Sequence, residues 1–117
     1  MKDRANQKAV VLVVQKNTLT MSKYYQTVME IIERRSGYTE AEILGGRSEM
    51  CADMRSILVS LLLRKYANYE VVDMTGLSRQ SVSRIAAQHQ DRVKHKYSMA
   101  IEMREVEREV EAMVNHR

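Results

Sequence analysis

The chain has 117 residues, with 19 Lys+Arg against 15 Asp+Glu and 44% apolar residues. That allows one compact domain, or a small domain with an appendage, and excludes a catalytic domain joined to a second fold. It has no Pro, Trp or Phe and only four Gly, which argues against turn-rich sandwiches and barrels and for an all-α fold.

The first apolar run, Ala9 to Val14, follows Lys2, Arg4 and Lys8. Its six residues fall short of the 7 to 15 of a signal-peptide core and of the roughly 20 that cross a bilayer. No membrane partner is expected, and a cytoplasmic location is the default. Its β-branched residues suit a strand and its helical surroundings suit a helix, so residues 1–19 are read only as an N-terminal extension.

Tyr24, Val28, Ile31, Ile32 and Arg35 recur at helical spacing, which predicts a helix over 20–36 ended by Gly37. Thr39 and Glu42 have capping-box spacing, so a single turn should run from Glu40 to Leu44 and stop at Gly45 and Gly46. Met50, Met54, Ile57, Leu58, Leu61 and Leu62 form a broad stripe on a helix from near Ser48 to Lys65, the expected centre of the core. Cys51 lies beside that stripe and is read as core filling. As the only cysteine, it excludes an intrachain disulfide.

Asn68 is expected to cap a short helix from Tyr69 to Thr75, followed by a turn at Gly76 and a helix capped by Ser78. On that second helix Val82, Ile85, Ala86 and His89 share an inner face. Residues 92–115 are expected to form the last helix, on which Met99, Met103, Val106, Val110 and Met113 keep the 4, 3, 4, 3 spacing of a coiled-coil seam. Two heptads are compatible with packing on the chain's own domain or with self-association. A homodimer through this seam is the reading taken here. The resulting division is a domain over 20–97 and a C-terminal helix over 98–117.

The charge is unevenly placed. Residues 1–36 and 77–97 each sum to +4, and residues 37–76 and 98–117 each sum to −2. The second basic segment coincides with the most informative stretch, Tyr69 to Ala86, where a short helix, a Gly turn and a capped helix arrive at helix-turn-helix spacing. A recognition helix offers its first residues to base edges, and Arg79, Gln80, Ser83 and Arg84 suit that role. Ser78, Ser81, Arg47, Lys94 and Lys96 are the expected phosphate contacts.

Residues 28–97 also resemble the C-terminal DNA-binding domain of the bacterial replication initiator DnaA. The resemblance rests on the turn Thr39 to Leu44, on Arg55-Ser-Ile-Leu-Val-Ser-Leu-Leu, and on the short helix, Gly turn and following helix with Ser81 and Val82 at matching places. It implies a Trp-repressor-like helix-turn-helix fold and double-stranded DNA as partner. Arg79 stands where the family has a base-contacting His, and the initiator's phosphate-binding G-x-x-x-x-G-K-[ST] pattern does not occur.

His89, His95 and His116 have no partner at i,i+4, and neither H-E-x-x-H nor G-x-S-x-G occurs. No cofactor, metal, small-molecule substrate or enzymatic activity is therefore expected. Glu49 with Asp53, and Glu70 with Asp73, are read as solvated helix faces, and His89 as a core residue or a phosphate contact. The leading expectation is a sequence-reading DNA-binding protein, a transcriptional regulator or an accessory factor of a replicating or mobile element. The alternative is a protein-interaction module that uses the helical body and the C-terminal heptads.

Overall fold

A computed structural model describes residues 20–115 of the chain, so the expectation for residues 1–19 lies outside the described residues. Six helices follow one another: α1 (Met21–Ser36), α2 (Glu40–Gly45), α3 (Glu49–Leu63), α4 (Asn68–Thr75), α5 (Arg79–His95) and α6 (Tyr97–Asn115). There is no strand among the described residues, and the all-α expectation holds.

Local chemistry sets most of the boundaries. The hydroxyls of Thr20, Thr39, Ser48 and Ser78 accept the N–H three residues on at the starts of α1, α2, α3 and α5. At α2 the capping box is complete, because Glu42 also accepts the Thr39 N–H at 2.9 Å. The cap of α4 differs from expectation. Ala67 holds the N-cap position, Glu70 accepts its N–H at 2.8 Å, and Asn68 is the first helical residue.

α3 runs through the middle of the molecule. Ile57, Leu58, Val59 and Leu62 are fully buried, as are Val28 and Ile32 of α1, Ile43 of α2, Val71 of α4, Val82 of α5 and Val106 of α6. Each such side chain contributes roughly 1.5–3 kcal/mol by leaving water, so the six helices share one core. The stripe on α3 starts one residue later than its sequence suggested, since Met50 is exposed while Cys51 and Met54 are buried.

α6 belongs to this core. Met99, Met103, Val106 and Val110 are all under 7% exposed, and only Met113 stands out, at 55%. The five-residue seam assigned to a dimer is therefore, in its first four positions, an intramolecular surface covered by this chain's own helices. Arg35 of α1 grips the polar flank of α6, bonding Glu102 through Nε and Nη2 (2.7 and 3.1 Å) and Glu109 through Nη1 (2.8 Å). Arg34 also pairs with Glu109, and Arg64 with Glu107. The single helix expected over 92–115 is instead the end of α5 and all of α6, separated by Lys96 in an extended conformation. The division at residue 97 is a change of helix within one packed body.

Candidate nucleic-acid interface

α4 and α5 are joined by three residues, and each has a defined role. Gly76 closes α4 with φ 77°, a left-handed conformation that costs an L side chain energy, and its N–H bonds the Val72 carbonyl at 2.9 Å. Thr75, nearly buried, donates its hydroxyl to the Val71 carbonyl (2.7 Å) and accepts the Leu77 N–H (3.1 Å), which ties the turn to α4. Half-buried Leu77 packs against the core. Ser78 then caps α5, accepting the Ser81 N–H at 3.0 Å while its hydroxyl bonds the Ser81 hydroxyl at 3.0 Å.

The sides of α5 are sharply different. Val82 and His89 are buried, with Ile85 and Ala86 half-buried beside them, as the spacing predicted. Opposite them Arg79, Gln80, Ser83, Arg84 and Ala87 are exposed. Ser83 lies toward α4, where its Oγ is 3.5 Å from Asn68 Nδ2. Arg84 borders a cleft on the other flank, so Gln80 is left at the middle of the outward face. Asp91, exposed and eleven residues after Gln80, is the one acidic residue of α5 and lies on the same outward side. An anionic surface would thus meet the first half of α5 on better terms than the second.

The expected phosphate contacts divide into two groups. Ser78 and Ser81 stand at the N-terminal turn of α5, where backbone N–H groups and the positive end of the helix dipole favour anions. Arg47 is exposed in the α2–α3 connection. Lys94 is exposed too, but about 20 Å along the axis from Ser81 at 1.5 Å per residue. Lys96 is already engaged, with its ammonium bonded to Asp53 (3.1 and 3.2 Å) and to Glu49. Those carboxylates hold its pKa above the usual lysine value, and Lys96 in turn holds Glu49 below the usual carboxylate range.

This pairing corrects the reading of Glu49 and Asp53 as a solvated face. Asp53 is 6% exposed and also accepts from Arg92 Nη1 at 2.8 Å. One turn away, Ser56 Oγ lies 2.6 Å from His89 Nδ1 inside the α3–α5 contact. Burial, with Arg64 and Arg92 nearby, pushes the imidazole below its ordinary pKa. His89 is thus a core residue, neutral when folded, as one of its two expected roles required.

Side chains that sequence reasoning passed over line the cleft beside Arg84: Arg55 from α3, and Gln88 and Arg92 from α5. The signal was present, since Ser81, Arg84, Gln88 and Arg92 recur at i, i+3, i+7 and i+11 on one flank of a helix. Asp53 and Arg92 were hidden because their partnership spans 39 residues of chain. No protein family, characterised protein or solved structure compared with the chain matches it.

Proposed function

We propose that this chain is a non-enzymatic, sequence-reading double-stranded DNA-binding protein in which α4 and α5 form a helix-turn-helix and α5 is the recognition helix. The observation that carries this reading is the state of the charges. Among the described residues Arg79, Arg84 and Lys94 of α5 have no carboxylate partner, nor do Arg47 and Arg55 on the neighbouring α2–α3 corner or Lys23, Lys65 and Arg104 elsewhere, whereas Arg34, Arg35, Arg64, Arg92, Lys96 and Arg108 do. Cations left unpaired at the exposed start of a capped helix, next to Gln80, suit a groove bordered by phosphates. The resemblance to the initiator's DNA-binding domain favours the same reading. Regulation of transcription, or service to a replicating or mobile element, is the setting in which such a small protein would act.

The interaction-module alternative relied on the C-terminal heptads, whose first four seam positions are spent inside the chain's own core. A homodimer on a two-fold DNA site would use a different face. Fluorescence polarisation with a mixed-sequence duplex at two salt concentrations tests the proposal. Binding that weakens steeply with salt is expected, because phosphate contacts release counterions. Absence of binding at low salt would refute it.

A further inference from the structure

The cleft between α5 and the α2–α3 corner has a volume of about 200 Å³ and is lined by Ser81, Arg84, Gln88 and Arg92 on one wall and by Gly45 and Arg55 on the other. No acidic residue lines it. Arg92 is neutralised from behind by Asp53, which leaves Arg55 and Arg84 as two positive charges without a carboxylate among the described residues.

Arg55 is held in place. Its Nε donates to the Ile43 carbonyl at 2.9 Å and its Nη2 to the Gly46 carbonyl at 2.5 Å, so that two of its five N–H donors fix the guanidinium and three remain. The corner itself requires glycine at residue 46, since a Cβ there would lie 2.6 Å from both Cys51 Sγ and the Glu42 carbonyl. Partial burial and the like charge of Arg92 make the Arg55 cation less favourable than in water. Leu44, Leu77 and Ile85 complete the walls, and their low polarity strengthens any charge interaction inside.

We infer that this cleft is a phosphoryl-binding site, with Arg55 and Arg84 forming a pair of guanidinium forks and Ser81 and Gln88 supplying neutral hydrogen bonds. An oxyanion seated there would offset the repulsion between Arg55 and Arg92 and take up donors that are otherwise uncommitted. Two sources share this chemistry: a phosphodiester of bound DNA next to the α5 groove contact, and a free phosphorylated small molecule. Only the first source rests on the DNA-binding reading.

The test is titration of the full-length ¹⁵N-labelled chain with inorganic phosphate, against sodium chloride at matched ionic strength, followed by NMR. Saturable shifts are expected at the amides of Gly45, Ser81 and Gln88 and at the Arg55 and Arg84 side chains. Arg84→Gln should weaken phosphate at least fivefold with an unchanged melting temperature, because Arg84 makes no bond that folding needs. Lys23→Gln, on the exposed face of α1, should not change affinity. Release of phosphate by a short duplex identifies the phosphodiester as the source, and simultaneous binding of both identifies a free anion. Shifts that never saturate, or equal losses in the Arg84 and Lys23 variants, would overturn the site. If no duplex binds while phosphate still saturates the cleft, the DNA reading fails and the site stands.

Discussion

Where α1 meets α6, arginines and glutamates are matched: Arg34 and Arg35 lie against Glu102 and Glu109 and, from the end of α3, Arg64 against Glu107. At the start of α5 the same residue types stand alone, with Arg79 and Arg84 facing outward and no carboxylate near them among the described residues. Segments 1–36 and 77–97 carry the same net charge of +4, and among the described residues each holds paired cations (Arg34 and Arg35; Arg92 and Lys96) beside unpaired ones (Lys23; Arg79, Arg84 and Lys94). The difference teaches that net charge by segment does not locate a binding surface. What counts is the charge left over after the fold has paired what it can. At the α1–α6 contact Arg34 and Arg35 help to hold a helix in place, whereas Arg79 and Arg84 make no ion pair within the described residues.

The strongest way to break this comparison is to charge the surface that α6 buries. Val106 is 0% exposed and Val110 4%, so Val106→Asp with Val110→Asp places two carboxylates in the core. Two buried carboxylates should together cost more than about 5 kcal/mol, enough to unfold a domain near the lower end of the ordinary stability range of about 5–15 kcal/mol. Circular dichroism should show a lost thermal transition. A folded double variant that merely changes oligomeric state would mean that α6 faces a partner and that the contrast is drawn in the wrong place.

Next in size is Asp53→Asn, which leaves Arg92 and Lys96 without their buried counter-charge and with only exposed Glu49 as a carboxylate partner. Because those two cations are about 30% exposed, water offsets part of the loss, and about 1–3 kcal/mol is expected. Denaturant midpoints would measure it. A neutral result would show that the Asp53 charge adds nothing to holding α5.

Much of this arrangement was legible from short stretches of chain. The Thr39 and Glu42 box, the Ser78 cap and the stop at Gly37 each depend on residues within one turn, and all are present in the structure. The heptad spacing of α6 was also read correctly, but spacing defines a buried stripe without saying which chain buries it. Asp53 was misread because a carboxylate pair at i,i+4 looks solvated until a second helix brings Arg92 and Lys96 over it. The break at Lys96 has no Pro or Gly to announce it. The outward face of α5 followed from its period, whereas the cleft did not, because Arg55 arrives from 26 residues before Ser81.

Smaller effects sharpen the second half of the comparison. Gln80→Ala and Arg84→Ala should leave stability unchanged within about 0.5 kcal/mol, as surface changes without partners do. Gln80→Ala should cost about 1–3 kcal/mol in affinity for a preferred duplex and less on other sequences. Arg84→Ala should weaken binding to all duplexes and flatten the salt slope by about one phosphate. An equal loss on every sequence for both would assign Gln80 to the backbone as well.

The smallest effect concerns pH. His89 is held below its ordinary pKa by burial first and by Arg64 and Arg92 second. The unfolded chain therefore takes up this proton before the folded one does, so the contribution of neutral His89 is complete above the unfolded value of about 6.5 and is lost as pH falls below it. His89→Gln should flatten the fall of the melting temperature as pH drops below about 6.5. The low carboxyl of Glu109, held by Arg34 and Arg35, adds a further loss at more acid pH that the variant should retain. A wild-type melting temperature that rises on acidification through that window would contradict the assignment.

The central claim, that the unpaired start of α5 reads DNA sequence, is tested most directly by selecting bound duplexes from a random pool and competing the winners against the unselected pool. An enriched motif is expected, preferred over the pool at moderate salt, whose discrimination at one position collapses in Gln80→Ala while Lys23→Ala retains it. Failure to enrich any motif, or a motif indifferent to both Gln80 and Arg79, would contradict it.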